Sequence, residues 1–311
     1  MKSKDQPVEL IGVPLDHGAG QRGVAMGPTA LRIAGLTAAL EKLELKVVDG
    51  GDIAVPIPEL EQPGDPKARY LDTVSQTCSQ LSDRVRGALD EGRLPLVLGG
   101  DHSVAVGTIS GVADHYHQQN PGTVPKVGVL WLDAHADLNT PDTSPTGNVH
   151  GMPLACLLGN GPQALTDVGY PGAKLEPHRI VQVGLRDLDP GERRKIREHD
   201  IRAYTMEDVD RRGLPVILEE AISHALADCD HLHVSFDIDV IDPRFAPGTG
   251  TAMEGGFTYR EAHLAMEMIA ETGKVGSLEL VEVNPVLDHG NQTAEVGVAI
   301  LASALGEEIL G

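Results

Sequence analysis

Along the 311-residue chain, short apolar runs alternate with longer stretches whose apolar positions recur at helical spacing. The runs VELIGVP (8–14), LKVVDGG (45–51), LPLVLGG (94–100), VGVLWLDA (127–134), RIVQVGL (179–185), HLHVSFDID (231–239) and SLELVEVN (277–284) read as strands. Most are apolar at nearly every position, the pattern of strands covered on both faces. Helical periodicity falls at 27–43, where Pro28 sits near the first turn, and within 67–90, then near 102–117, 190–199, 214–228, 258–272 and 292–309. Regular strand–helix alternation predicts an α/β fold with a parallel sheet covered by helices on both faces, with an eightfold α/β barrel as the competing layout. No Ser/Gly-rich linker, internal repeat or low-complexity tract breaks the pattern, so residues 1–311 read as a single domain. The Pro- and Gly-rich stretches 52–66 and 158–178 read as surface excursions.

Composition adds constraints. Aromatic residues are only 3%, so the core must rest on Val, Leu, Ile and Ala. The formal charge of −21 repels phosphate backbones and there is no basic run, which argues against nucleic acid or an anionic membrane as partner and weakly favours a cationic ligand. No uncharged apolar stretch is long enough to span a bilayer, and MKSKDQPVEL at the start lacks the apolar core of a signal peptide. Cys78, Cys156 and Cys229 are odd in number and far apart, as expected of buried free thiols in a reducing compartment, so the expected location is the cytoplasm.

Candidate chemistry gathers just past three strands. GGDHS places Asp101 and His102 after two glycines, WLDAHAD supplies Asp133, His135 and Asp137, and SFDIDVIDP supplies Asp237, Asp239 and Asp242. On a pleated strand, residues two apart share a face, so each carboxylate set is expected to converge. In a parallel sheet these ends lie along one edge, where open α/β folds bind ligands. Carboxylates crowded there stay ionised only beside a cation. Four Asp and two His without Cys form a hard donor set suited to Mn2+, and six donors suit two divalent ions better than one. Each piece alone has a plainer explanation: Asp101 as a helix cap, and His102 or His135 as hydrogen-bonded structural histidines. His115, His117, His231 and His233 read as surface or packing residues.

The residues then match a family. GGDHS (99–103), DAHAD (133–137), TGNVHG (146–151), SFDIDVIDP (235–243), EGGFTYRE (254–261) and VEVNP (281–285) resemble the ureohydrolase superfamily in order and spacing, and the bacterial arginases within it. The resemblance spans essentially the whole chain. It implies a three-layer α/β/α sandwich around a parallel sheet of about eight strands, and a homo-oligomer, trimer or hexamer. It further implies two Mn2+ ions, one held by His102, Asp133, Asp137 and Asp237, the other by His135, Asp133, Asp237 and Asp239. The implied reaction is hydrolysis of L-arginine to L-ornithine and urea by a metal-bridging hydroxide. Asp137 would pass the proton to the leaving amine, His150 would shuttle protons as a group titrating near neutrality, and Glu282 would hold the guanidinium. The family's substrate contacts fall on Asn139, Thr146, Asn148, Asp189, Glu192 and Thr251. Thr146 replaces the usual serine, adding a methyl group, while Val240 and Ala252 replace a glycine and a proline common in the bacterial enzymes. Agmatine, guanidinobutyrate or formiminoglutamate are the alternative substrates, and a non-catalytic binding protein is the alternative class.

Overall fold

The apolar runs form strands where expected in the computed structural model, which describes residues 6–229 and 231–310. Residues 1–5, half of the stretch read for a signal peptide, lie outside the described residues. The strands are β1 (Val8–Gly12), β2 (Val47–Asp52), β3 (Leu94–Leu98), β4 (Val127–Leu132), β5 (Ile180–Leu185), β6 (Arg202–Thr205), β7 (His231–Asp237) and β8 (Val275–Val281). They make one sheet in the order β2-β1-β3-β8-β7-β4-β5-β6, and every pairing is parallel. The sheet is open, with β2 and β6 at its edges, so the barrel layout is excluded.

Helices cover both faces: α1 (Gly27–Ile33), α2 (Leu36–Lys42), α3 (Leu71–Asp90), α4 (Ala105–Gln119), α5 (Pro153–Leu157), α6 (Gln163–Thr166), α7 (Pro190–Glu198), α8 (Met206–Arg212), α9 (Leu214–Ala225), α10 (Tyr259–Glu271) and α11 (Gln292–Ala304). Side-chain alternation divides the core. Leu96 and Leu98 of β3 join the cluster on the face covered by α1, α2, α9, α10 and α11. Val97 between them joins the opposite cluster with α3, α4 and α5. That is the three-layer sandwich, built as expected from aliphatic residues.

Three differences from the sequence reading have local causes. The helix expected over 27–43 is two helices, because Gly35 takes a left-handed φ of 91° between them. The strand β6 and helix α8 were not foreseen: β6 is four residues of RAYT on an edge, and α8 is the polar MEDVDRR. Thr205 starts α8 as its cap, its hydroxyl accepting from Asp208 N at 3.3 Å. The stretch 158–178 is not wholly a surface excursion. It holds α6 and buries Leu165, Val168, Leu175 and Lys174. The Lys174 ammonium donates to the carbonyls of Thr166 and Gly172, both at 2.7 Å, which compensates its loss of water. The three cysteines are free and buried.

Candidate metal centre and substrate pocket

All three acid- and histidine-bearing segments emerge at the carboxyl edge of the central strands. Past β3, Gly100 turns the chain so tightly that a Cβ there would lie 1.8 Å from the Leu15 carbonyl oxygen. Asp101 then caps the short 3-10 turn His102–Val104: its Oδ1 accepts from Ser103 N at 3.0 Å and its Oδ2 from Gly18 N at 2.8 Å. The capping explanation therefore holds for Asp101, and burial pushes its carboxyl up to about 6. Asp242 likewise serves its own turn, bonded to Arg244 at 2.7 Å.

Strand β4 stops at Leu132, so Asp133, His135 and Asp137 do not meet by pleated alternation as expected. They lie on a loop stitched to its neighbours. Asp133 N donates to Val183 O at 3.1 Å, and Arg186 N to Ala134 O at 2.9 Å. Asp137 adopts a left-handed φ of 53°. Asp237 ends β7, and Asp239 follows in the turn Ile238–Val240. The convergence is real although its backbone route differs.

His102 Nδ1 lies 3.1 Å from Asp133 Oδ2, 3.0 Å from Asp137 Oδ2 and 3.1 Å from Asp237 Oδ2. His135 Nδ1 lies 3.4 Å from Asp133 Oδ1 and 3.0 Å from Asp239 Oδ2. Two groups of donor atoms are thereby close enough to share a cation: His102, Asp133 and Asp237, and Asp133, His135 and Asp239. Although His102 Nδ1 and Asp137 Oδ2 are buried and 3.0 Å apart, their geometry is not that of a hydrogen bond, and neither has another hydrogen-bond partner among the described residues. Orphaned polar atoms at the centre of four carboxylates fit a divalent cation. Electrostatics agree. Burial, Asp239 and Asp133 drive the Asp237 carboxyl well above its usual range. Burial and Asp133 push Asp137 up to about 6. Burial also opposes ionisation of Asp133, but His102 and His135 outweigh it and hold that carboxyl low.

The same edge walls a pocket lined by His102, His135, Asp137 and Asp237, and Asn139, Thr146, Asn148, Asp189, Glu192 and Thr251 all line it as well. Ser144 and Pro145 line it too, and the sequence reading missed them. Glu192 Oε1 accepts from Leu138 N at 3.1 Å and its Oε2 from Asp189 N at 2.9 Å, so it braces two pocket walls. Burial still pushes its carboxyl up to about 7. Asn139 Nδ2 donates to Asp189 Oδ2 at 2.8 Å, and Thr251 Oγ1 to Asp239 Oδ2 at 2.9 Å. His150 and Glu282 are partners, with His150 Nδ1 at 2.9 Å from Glu282 Oε1. Burial lowers the His150 pKa, but the Glu282 charge more than reverses it, to about 9. The buried Glu282 carboxylate thus favours the charged form of the imidazole it holds.

Residues 6–306 match the Arginase family. The arginase of Bacillus caldovelox is 48% identical over 306 residues, covering 98% of this chain and all of the relative, 100%. That of Brevibacillus brevis is 45% identical over 303 residues, covering 97% and 99%. The solved structure of the B. caldovelox arginase superposes with a TM-score of 0.92 at 47% identity, covering 98% of this chain and 99% of that one. The chain belongs to the arginase family. It is accordingly a hydrolase of the arginase type, and the eight-stranded parallel sheet is the arginase fold.

Beneath this arginase-family site lies a buried polar chain, of which only His231 and His233 were expected from sequence to be surface or packing residues. His102 Nε2 is 2.8 Å from Ser235 Oγ, which donates to Glu279 Oε1 at 2.7 Å. Glu279 reaches His233 Nε2 at 3.4 Å, His233 Nδ1 reaches Ser277 Oγ at 2.8 Å, and Ser277 Oγ reaches His231 Nε2 at 2.9 Å. Burial opposes ionisation of Glu279, but His233 and His102 prevail and keep its carboxyl below the usual range. Beside it, Trp131 stacks on His102 with ring centroids 4.2 Å apart and donates from Nε1 to Asp133 Oδ2 at 2.9 Å. The available signal was the alternation of His231, His233 and Ser235 with apolar residues inside a strand covered on both faces.

Proposed function

We propose that the protein hydrolyses L-arginine to L-ornithine and urea with two Mn2+ ions, as a cytoplasmic homo-oligomer. The observation that carries the reading is the pair of donor groups sharing Asp133 around the unpartnered His102 Nδ1 and Asp137 Oδ2, at the base of a pocket that also holds Glu282. One ion would be held by His102, Asp133, Asp137 and Asp237, the other by His135, Asp133, Asp237 and Asp239. When bound, such ions supply a water acidic enough to act as a nucleophile near neutral pH.

The chain's own groups do the rest. Glu282, buried and already an acceptor of hydrogen bonds, would take guanidinium N–H groups and place the guanidinium carbon over the carboxylate cluster. Asp137, whose unpartnered Oδ2 is buried at that point, would accept the water's proton and return it to the departing amine nitrogen. His150 would relay protons from its place beside Glu282. Asn139, Thr146, Asn148, Asp189, Glu192 and Thr251 would hold the α-amino acid end. Arginase names on relatives matching 98% and 97% of the chain support arginine over other guanidino compounds. The test is urea release from L-arginine, agmatine, guanidinobutyrate and formiminoglutamate under equal Mn2+, with metal analysis of the same sample. Urea from L-arginine in clear excess over agmatine is expected. Preference for agmatine would overturn the substrate assignment, and no metal uptake would overturn the centre.

A further inference from the structure

The pocket presents Asp137, Asp189, Glu192, Asp237 and Glu282, and among the described residues neither Lys nor Arg lines it. Such a lining offers acceptors to the guanidinium and amino groups of a substrate but no lysine or arginine charge to its carboxylate. A carboxylate therefore needs donors that are aimed before it arrives. Asn148 lines the pocket, and its side-chain amide carries an acceptor at one end and a double donor at the other. Arg69, half-buried on the neighbouring 63–70 segment, points Nη1 at Asn148 Oδ1 across 3.4 Å. Arginine has no acceptor, so this contact admits only the orientation with the amide oxygen toward Arg69. The NH2 group, which makes no hydrogen bond among the described residues, is left for an acceptor.

The segment that carries Arg69 is seated firmly on the Asn148 loop. Arg69 N donates to Gly147 O at 3.0 Å. Gly147 takes a φ of 71°, and a Cβ there would lie 1.9 Å from the Pro66 carbonyl oxygen, so the two backbones touch with no room for a side chain. Lys67 and Asp142 tie the same two segments at 3.1 Å on the outside.

We propose that Arg69 is a positioning residue that selects substrates bearing an α-carboxylate, by fixing the Asn148 amide with its NH2 group available and by placing a positive charge behind it. The inference rests on the reading of the pocket as one for a guanidino amino acid. It is tested on the Mn2+-loaded enzyme with L-arginine kinetics and with binding of L-ornithine and putrescine, which differ by the carboxylate alone. Arg69→Met should raise KM for L-arginine and Kd for L-ornithine about tenfold, with kcat and the putrescine Kd within about twofold of the unaltered enzyme. Arg69→Lys should fall between, because an ammonium restores the charge but only part of the planar geometry. In an Asn148→Ala background the Met change should add less than about twofold, since the group it acts through is gone.

Equal weakening of L-ornithine and putrescine, or an undiminished effect in the Asn148→Ala background, would overturn the proposal. If Arg69→Met does not fold, Arg69→Gln and Arg69→Lys give the same ornithine-to-putrescine comparison. Failure of the unaltered enzyme to release urea from L-arginine would instead overturn the arginine reading, and the binding ratio in the variants would still decide the role of Arg69.

Discussion

Trp131 is the only tryptophan in the chain and is fully buried against the carboxylate cluster. Replacing it with phenylalanine keeps an aromatic ring over His102 but removes the Nε1 donor from Asp133 Oδ2, 2.9 Å away. A hydrogen bond to a charged acceptor contributes about 1.5–3 kcal/mol, and the smaller ring leaves a void costing roughly 1 kcal/mol more. Trp131→Phe should therefore lower the urea-unfolding free energy of the metal-free protein by about 2.5–4 kcal/mol. Asp133 belongs to both donor groups, so loss of the group that orients it should also weaken Mn2+ binding, about 10- to 100-fold. Urea titration followed by far-UV circular dichroism reads the first quantity, and Mn2+ titration followed by electron paramagnetic resonance reads the second. In the unaltered protein the indole also reports directly: paramagnetic Mn2+ should quench its fluorescence as the site fills. Unfolding free energy within about 0.5 kcal/mol of the original, with unchanged Mn2+ affinity, would refute the reasoning.

Other changes separate the roles of neighbouring groups. Asp133→Asn removes a charge common to both donor groups, so manganese content by atomic absorption should collapse; retained metal would contradict the shared position. His150→Asn should keep the metal yet lower kcat about 100-fold or more in a urea assay, the usual cost of a lost proton-transfer group; full turnover would remove it from proton relay. Lys174 gives a pH signature away from the site, because burial lowers its pKa from 10.5 to about 8. The unfolded chain then binds the extra proton between those values, so the lysine contributes a stability that rises with pH from about 8 towards 10.5. Urea midpoints measured from pH 7 to 10 should lose that component of their slope in Lys174→Met, and identical pH slopes would refute the assignment.

The sheet was legible because most of its inner strands are nearly continuous apolar runs alternating with helical periodicity, although the same alternation also suits a barrel. Strand β6 was not, because an edge strand of four residues with alternating exposure carries too little periodicity to stand out from a loop. The break at Gly35 was hidden because apolar spacing continues across it, and only a backbone angle records the interruption. Site residues could be read as types and spacings: His102, Asp133, His135, Asp137, Asp237 and Asp239 gather at the sheet edge as expected. What spacing could not supply was the route, since Asp137 meets its partners through a left-handed residue on a loop rather than through strand pleating. Nor could it show that His150 is paired with Glu282, since those positions are 132 residues apart in sequence. The supporting group Glu279 was invisible for the same reason: an acid in a buried strand is explained only by what lies across from it.

The buried chain of His231, His233 and Ser235 against Ser277 and Glu279 also acts as a lock on how β7 and β8 align. In the observed pairing, His233 stands opposite Ser277 and Ser235 opposite Glu279. Sliding one strand by a single residue would swing Glu279 to the opposite face, among the leucines and Phe236, with no partner for its charge. Aliphatic side chains tolerate such slippage far better than carboxylates do. The middle of the sheet thus holds a polar checkpoint that only the correct alignment satisfies, and that alignment is the one that brings Asp237 level with His102.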